Sequence, residues 1–223
     1  MQKNYKTKLV LFDLDGTLVD TAPDFLLSIN NVLKKNDQNL ITSDQIRFHI
    51  SEGTSKLIKT FFQTKNNKKK FLTYRNQFLE EYERNLTNKS NLFDGIKTLI
   101  EKLDILGINY GVVTNKYFKY AKPILEYFPE LKNLKVIICP DHVNQSKPNP
   151  EGILLACKKI GVRPNETIYL GDHENDIKAG LDAGTSVIGC LYGYSLKEND
   201  IKNKEFSNCN FVNHAKEIIK YIN

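Results

Sequence analysis

Two aspartates, Asp13 and Asp15, stand one residue apart directly after a short apolar run, and Gly16 and Thr17 follow them. Side chains two positions apart in an extended strand lie on one face, and Gly16 lets the chain turn just past the strand end. One carboxylate of such a pair can attack phosphorus in line while the other transfers protons. The spacing therefore places two carboxylates side by side, an arrangement that allows this chemistry.

Reactive side chains also follow the later apolar runs that read as strands. They are found in Thr114-Asn115-Lys116, in Ser146-Lys147-Pro148 and in Gly171-Asp172-His-Glu-Asn-Asp176. In an open α/β sheet, functional groups collect in the crevice beyond the carboxyl ends of the strands. We therefore expect these carboxylates, hydroxyls and ammonium groups to converge with the aspartate pair on one site.

The alternation of short apolar runs with helical patterns predicts the elements that hold this site. The expected strands are residues 8–13, 110–114, 134–139, 167–171 and 186–190, with a weak strand at Phe211–Val212. Helical patterns separate them from about residue 92 onward, which favours a parallel sheet covered on both faces. The predicted fold class is α/β, with a Rossmann-like parallel sheet as its core.

A long stretch after the first strand has a different spacing of apolar residues. From Thr21 to about residue 90 the apolar spacing is helical throughout, which indicates a small helical bundle inserted into the sheet domain. We predict an α/β core of residues 1–19 and 92–223 and an α-helical cap domain of residues 20–91. In the cap, Thr21-Ala-Pro-Asp24 is expected to form a capping box, and Ser43 is expected to begin the second helix.

Glycines mark the predicted ends of two helices in the core. Gly107 follows a helical pattern that begins near Ile96, and Gly161 follows a pattern that begins after Asn149-Pro150. Glycine takes the left-handed conformation that ends many helices, so both positions are expected to be helix stops. A last helix is expected through Ile218 and Ile219.

Composition excludes several classes of protein. The chain has 223 residues, 40% of them hydrophobic, and its apolar runs are far shorter than the roughly 18 residues of a membrane span. The net charge of +6 and the run Lys68–Lys70 permit an acidic partner, but there is no nucleic-acid-reading motif, so we expect no nucleic acid and no membrane partner. Four widely spaced cysteines and four histidines without ligand spacing predict reduced thiols and no histidine zinc site. The first apolar run is short and is soon followed by Asp13 and Asp15, which is not typical of a signal peptide, so we expect a cytoplasmic protein. We expect a monomer or a homodimer.

The motifs together resemble those of the haloacid dehalogenase superfamily. Phe12-Asp-Leu-Asp-Gly-Thr-Leu-Val-Asp20 is similar to its first motif, and Thr114, Lys147 and the pair Asp172/Asp176 stand where its second, third and fourth motifs belong. The resemblance covers the whole chain, including a helical cap inserted just after the first motif. The size and the continuation Asp20-Thr-Ala-Pro-Asp24 look most like the phosphoglycolate phosphatases of that superfamily.

The resemblance implies a catalytic or phosphate-binding role for each matching residue. Asp13 would be the nucleophile that forms an aspartyl-phosphate, and Asp15 would protonate the leaving alkoxide and then deprotonate the attacking water. The phosphate would be bound by Gly16, Thr114, Asn115 and Lys147.

The implied cofactor is Mg²⁺, which prefers octahedral oxygen ligands and takes few of them from protein. The carboxylates of Asp13 and Asp172 and the backbone carbonyl of Asp15 would hold it. Asp176 would orient Lys147 or a water on the metal. His173 is expected to be a neutral surface histidine.

Substrate choice is expected to lie in the cap. The candidate loop is His49-Ile-Ser-Glu-Gly53-Thr-Ser-Lys56, in which Gly53, Thr54 and Lys56 are the candidate specificity residues. Lys56 or Arg47 could meet a substrate carboxylate or a second phosphate, and an ordinary exposed helix residue is the alternative for each.

The leading hypothesis is a Mg²⁺-dependent phosphatase that acts on a small phosphorylated metabolite, with 2-phosphoglycolate as the first candidate. By comparison with other members of that superfamily, Asp15 argues against a dehalogenase, and Thr17 favours a hydrolase over a sugar phosphomutase. The alternatives are an inorganic pyrophosphatase and a sugar-phosphate phosphatase or phosphomutase of the same superfamily. A phosphonatase would need Lys56 as a Schiff-base residue. From a different class, a basic binding module on an inactive scaffold is supported by the net charge and Lys68–Lys70 alone.

Overall fold

A computed structural model describes residues 6–62, 64 and 67–222 of the chain. Within these residues the strands are Leu9–Phe12 (β1), Val19–Asp20 (β2), Asn91–Leu92 (β3), Asn109–Val113 (β4), Val136–Ile138 (β5), Thr167–Gly171 (β6), Ser186–Cys190 (β7) and Cys209–Val212 (β8). The α-helices are Ala22–Lys35 (α1), Ser43–Ile50 (α2), Thr54–Phe61 (α3), Lys68–Arg84 (α4), Ile96–Leu106 (α5), Phe118–Tyr127 (α6), Glu151–Ile160 (α7) and Glu174–Asp182 (α8).

The chain forms two compact units. One consists of Met1–Val19 with Leu92–Asn223, and the other of Asp20–Asn91. The backbone passes from one unit to the other at β2 and β3, which pair as a two-stranded sheet. The larger unit is called the core unit below, and the smaller one the helical unit.

The core unit is built on a six-stranded parallel sheet in the order β5-β4-β1-β6-β7-β8. The central strand β1 is buried along its whole length. A strand covered on both faces needs apolar side chains at every position, which explains a continuous apolar run rather than an alternating pattern. The prediction of an α/β fold with a parallel sheet is confirmed.

The register brings three strand ends to the same edge of the sheet. Phe12, the last residue of β1, lies opposite Val112 of β4 and Leu170 of β6. The residues that directly follow these strands therefore lie at the same edge of the sheet; they are Asp13, Thr114 and Asp172. This is the position at which open α/β sheets carry their functional groups.

The apolar core lies between the sheet and the helices that cover it. α7 packs against β4 and β5, and α8 packs against β6 and β7. One cluster of fully buried side chains includes Leu11, Val113, Ile153 and the ring of Tyr169. Cys139, Cys157 and Cys190 are buried free thiols, as predicted.

Most predicted element ends are close to the observed ones, and two glycine stops are confirmed. Gly107 and Gly161 follow α5 and α7 with φ of 65° and 74°. The strand expected over 134–139 is shorter, because Leu134 N donates to Leu131 O and Cys139 O accepts from His142 N, which places both ends in turns.

The last helix, expected through Ile218 and Ile219, is present over Ala215–Tyr221 as a 3₁₀ helix, in which the buried Ala215 and Ile218 are one three-residue turn apart. The prediction of a capping box at Thr21 is wrong. The side chain of Thr21 makes no cap hydrogen bond to α1, because its backbone is already helical at φ −92° and ψ −6°. A capping side chain needs an extended backbone to reach back to the first turn.

The helical unit contains α1 to α4. Its core includes Ile29 and Val32 of α1 and an aromatic cluster in which the ring centroid of Phe25 lies 4.3 Å from that of Tyr82 and 5.9 Å from that of Phe78. Ser43 begins α2, as predicted. Among the described residues of the chain, no helix has the length and apolar character needed to cross a bilayer.

Candidate active site

Lys147 lies at the centre of the buried charges beyond the sheet edge. Its ammonium nitrogen is 2.8 Å from Asp13 Oδ1 and 2.6 Å from Asp176 Oδ1. It also donates a hydrogen bond of 2.9 Å to the hydroxyl of Tyr169. The Lys147 side chain is 5% exposed and that of Asp176 is 1% exposed, so this ion pair is shielded from water.

A third carboxylate, that of Asp172, lies close to the two that contact this ammonium group. Oxygen atoms of Asp13, Asp172 and Asp176 all lie within 4.8 Å of one another. Burial, together with the charges of Asp176 and Asp13, raises the pKa of Asp172 well above its usual range. Burial also raises the pKa of Asp13, against the opposing effect of Lys147. Burial alone would lower the pKa of Lys147, but the two carboxylates raise it above its ordinary value.

The chemistry of this donor set fits a divalent cation. Three negative charges face one positive charge, which leaves two negative charges when all the groups are ionised. Asp13 Oδ1 is buried and receives no well-aligned hydrogen bond from the described residues. Carboxylate oxygens are the protein ligands that Mg²⁺ and Ca²⁺ prefer. Asp13, Asp172 and Asp176 could therefore hold a metal ion.

Asp172 is oriented by the chain segments around it. Its Oδ1 accepts a hydrogen bond of 3.1 Å from the Thr17 hydroxyl, and its Oδ2 accepts one of 2.8 Å from the backbone N–H of Tyr194. A Cβ at Gly16, where φ is +85°, would lie 2.4 Å from Asp172 Oδ2. Glycine at position 16 thus provides both the turn and the space for this carboxylate.

Asp15 is paired with Lys116, which the sequence analysis placed near the site without giving it a role. Both of its carboxylate oxygens accept hydrogen bonds of 2.8 Å from Lys116 Nζ. The Lys116 side chain is 6% exposed and that of Asp15 is 16% exposed. Lys116 comes two residues after Thr114, and this adjacency to a motif residue was the available signal. The carboxylate of Asp15 is separate from the cluster of Asp13, Asp172 and Asp176.

Thr114 and Asn115 lie where β4 ends. The Thr114 hydroxyl oxygen accepts a hydrogen bond of 3.2 Å from the Lys116 N–H, which leaves its own proton for a ligand oxygen. The Asn115 side chain forms a reciprocal pair with the backbone of Lys147, donating to its carbonyl at 3.0 Å and accepting from its N–H at 3.1 Å. Asn115 thus holds the backbone that carries the central ammonium group.

His173 and Asp176 begin helix α8 together. His173 Nδ1 accepts a hydrogen bond of 3.1 Å from the Asn175 N–H, and Asp176 Oδ2 accepts one of 3.1 Å from the His173 N–H. His173 is a half-buried helix cap rather than the surface residue that was predicted. Asp176 uses one oxygen for the helix and the other for Lys147.

Tyr169 is a functional candidate that the sequence analysis missed. It is fully buried in the middle of β6, and its hydroxyl contacts Lys147, Asp176 and the backbone carbonyl of Val113. Burial, followed by the charges of Asp176 and Asp13, raises the pKa of Tyr169 well above its usual value, so the hydroxyl keeps its proton.

The predicted specificity residues all belong to the helical unit. Gly53 has a φ of +85° and precedes α3, which begins at Thr54. Lys56 Nζ lies 3.8 Å from the Glu52 carboxylate, and Arg47 forms an ion pair of 2.5 Å with Asp20. A role for any of them in substrate choice stays a prediction.

Comparison with known proteins identifies the family. A model of the haloacid dehalogenase-like hydrolases matches residues 10–190, which include every motif residue described above. The chain belongs to this family. The resemblance stated from the motifs is therefore confirmed.

Relatives of this hydrolase include named phosphatases from two groups. N-acetylmuramic acid 6-phosphate phosphatase of Pseudomonas aeruginosa is 35% identical over 198 residues, which cover 89% of this chain and 88% of that protein. Phosphoglycolate phosphatase of Xanthomonas campestris pv. campestris is 35% identical over 193 residues, which cover 86% and 87%. These names confirm the expectation of an enzyme of the phosphatase type.

The fold agrees with a crystal structure of the same group. The structure of a predicted phosphoglycolate phosphatase from Haemophilus somnus 129pt has a TM-score of 0.85 and 29% identity to this hydrolase, and the match covers 97% of this chain and 98% of that one. The core sheet and the helical unit are thus both represented in a known architecture.

Proposed function

We propose that this haloacid dehalogenase-like hydrolase is a Mg²⁺-dependent phosphatase that cleaves a small phosphomonoester through an aspartyl-phosphate intermediate. The observation that carries the proposal is the buried excess of negative charge at Asp13, Asp172 and Asp176 around Lys147. A site of this charge can accept a divalent cation and, with it, a phosphate group.

The first half of the reaction uses the aspartate pair. A carboxylate oxygen of Asp13 attacks phosphorus in line, a new O–P bond forms, and the ester P–O bond breaks. Asp15 gives its proton to the departing alkoxide, which leaves as an alcohol. Lys116 holds both oxygens of the Asp15 carboxylate in the resting structure and so restricts its orientation.

The second half returns the enzyme to its starting state. Asp15, now ionised, takes a proton from water as the water oxygen attacks phosphorus, and the bond from phosphorus to Asp13 breaks. Inorganic phosphate leaves and the Asp13 carboxylate is regenerated. The Thr114 hydroxyl and the Lys147 ammonium donate to the phosphoryl oxygens in both halves.

Mg²⁺ would be held by the carboxylates of Asp13 and Asp172 and by the backbone carbonyl of Asp15. Asp176 adds a further carboxylate at the same place. The bound ion would neutralise phosphate charge and fix the phosphate for in-line attack. Asp176 would also keep the Lys147 ammonium in place through the 2.6 Å contact.

The first candidate substrate is 2-phosphoglycolate, and the second is N-acetylmuramic acid 6-phosphate. The names of relatives that are 35% identical and cover more than four fifths of the chain favour these two compounds. Both are phosphomonoesters that also carry a carboxylate. A basic residue that meets this carboxylate is therefore expected, and Arg47 and Lys56 of the helical unit remain the proposed candidates.

The test is the initial rate of phosphate release, with and without Mg²⁺, from these two acids beside sugar phosphates and pyrophosphate. We expect release that depends on Mg²⁺ and is fastest with one of the two acids. A flat, slow response across the panel would keep the phosphatase and reject both substrates. The proposed function would be wrong if no compound released phosphate, or if the rate of release were the same with Mg²⁺ and with a chelator.

A further inference from the structure

We propose that Tyr169 is a positioning residue for phosphoryl transfer, whose hydroxyl anchors the Lys147 ammonium and aligns it with the end of β4. The inference rests on the proposed function, because it assigns Lys147 to the phosphate. It adds a residue that lies in the middle of a strand and outside every motif in the sequence analysis.

The Tyr169 hydroxyl joins three parts of the site. It accepts a hydrogen bond of 2.9 Å from Lys147 Nζ, and it lies 2.9 Å from Val113 O and 3.1 Å from Asp176 Oδ1, to either of which it can donate its one proton. Val113 is the last residue of β4, directly before Thr114. One hydroxyl thus connects the end of β4, the loop after β5 and the start of α8.

The surroundings of the ring explain why the hydroxyl is more than a packing feature. The ring lies in an apolar cluster with Leu9, Leu11 and Val113, where a phenylalanine would fill the same volume. A buried hydroxyl without hydrogen bonds costs free energy, and the hydrogen bond it accepts and the one it donates offset its burial. All three partners belong to the site or directly precede a site residue.

The geometry divides the three N–H groups of the Lys147 ammonium into two kinds. Two of them reach Tyr169 and Asp176, which are both fully buried and fixed by β6 and α8. The third contact, to Asp13, is with the proposed nucleophile, whose oxygen must turn to phosphorus during the reaction. With two fixed anchors the third N–H stays directed at the transferred phosphoryl group. With Asp176 alone the ammonium can swing about a single contact.

The experiment compares two buried tyrosines in the Mg²⁺-loaded enzyme, one on β6 and one on β4 of the core sheet. Tyr169→Phe removes the anchoring hydroxyl and keeps the ring. Tyr110→Phe is the matched control, because Tyr110 is 1% exposed on β4 and its hydroxyl lies near Asp104, away from the described site residues. The readouts are kcat/KM for the best phosphomonoester, the inhibition constant of inorganic phosphate and the thermal unfolding midpoint.

We expect Tyr169→Phe to lower kcat/KM about tenfold and to raise the inhibition constant of phosphate by a similar factor, which is the effect of one lost hydrogen bond to a charged group. Tyr110→Phe should change neither by more than about twofold. The inhibition constant does not depend on how much of the variant is folded, so it remains informative if Tyr169→Phe loses stability. Equal values for the two variants would overturn the inference.

A double variant tests whether Tyr169 acts through Lys147. In a Lys147→Met background, Tyr169→Phe should change phosphate inhibition and single-turnover rate by less than about twofold, because the anchored group is gone. An undiminished tenfold effect in that background would show that Tyr169 works by another route. The wild-type enzyme tests the proposed function separately. If it did not release phosphate, the phosphatase function would be rejected, whereas the role of Tyr169 is tested by the variants.

Discussion

Buried carboxylates occur in both units, but the two units neutralise them differently. In the helical unit, Glu81 lies 2.6 Å from Lys35 Nζ, 3.0 Å from Arg84 and 3.1 Å from the Asn31 amide. Asp24 accepts hydrogen bonds from the Lys89 N–H and the Ser90 hydroxyl. In the core unit, Asp13 and Asp176 share the Lys147 ammonium group, and an oxygen of Asp172 lies within 4.8 Å of theirs.

The pKa values move in opposite directions as a result. The hydrogen bond from Lys35, together with Asn31 and Arg84, lowers the pKa of Glu81. Burial and the neighbouring carboxylates raise the pKa of Asp172. Both residues are less than a tenth exposed, so burial alone does not distinguish them. The two residues differ in the ratio of carboxylates to cations around them.

This ratio separates a structural network from a ligand site. The helical network is complete within the chain, and each of its charges favours folding. The core network has more carboxylates than cations, so full ionisation of its carboxylates disfavours the folded state, and a bound cation would offset this cost. Functional sites are the places where such a local conflict is expected to persist.

Asp13→Asn should have the largest effect on activity and a small effect on folding. The amide cannot act as the nucleophile, so we expect turnover to fall about 10⁴-fold or more. Because the change removes one charge from a crowded cluster, the unfolding midpoint without metal should stay within a few degrees of wild type. Steady-state rates and thermal unfolding measure the two effects. Activity within tenfold of wild type would reject Asp13 as the nucleophile.

Asp172→Asn tests the missing positive charge without relying on turnover. At a Mg²⁺ concentration about 100 times the dissociation constant, binding should stabilise the wild-type protein by about 2.7 kcal/mol. The variant loses a proposed ligand, so most of this stabilisation should disappear. Thermal unfolding with and without Mg²⁺ measures it, and an equal shift in both proteins would remove Asp172 from the metal site.

The same two proteins have an expected pH dependence in the absence of metal. A raised pKa means that Asp172 binds more protons in the folded state than in the unfolded one, so the unfolding free energy should rise as the pH falls from 8 toward 5. Asp172→Asn should flatten this slope, and so should saturating Mg²⁺. A steeper slope in the variant would contradict the sign.

The sequence predicted the sheet and most of the site because both depend on local pattern. Strands buried on both faces read as apolar runs, and the polar residues that end β1, β4 and β6 converge because parallel strands share an edge. Asp13, Asp172 and Lys147 were selected in this way, and the structure brings all three together. The catalytic roles assigned to them stay predictions.

The missed residues depend on distances that no local pattern contains. Tyr169 lies inside an apolar run, where a tyrosine resembles any core aromatic. Its hydroxyl reaches Val113 only because β4 and β6 both pair in register with β1, which lies between them. Lys116 lies 101 positions from Asp15, and the sequence does not tell which carboxylate it pairs with. The failed Thr21 cap depended on a backbone conformation that the residue type does not determine.

Glu81→Gln should have the smallest effect, confined to stability and opposite in its pH dependence. The variant keeps the shape of the side chain but loses the charge that Lys35 and Arg84 contact, which should cost about 1–2 kcal/mol at neutral pH. A lowered folded-state pKa means that this stability is present above about pH 4.5, the ordinary value, and is lost as the pH falls through the folded-state pKa. Unfolding free energies of wild type and variant should therefore converge at acidic pH. The stabilisation by Mg²⁺ should be equal in both proteins, because the Glu81 network is complete without a metal. A variant that lost the Mg²⁺ effect would break the distinction between the two networks.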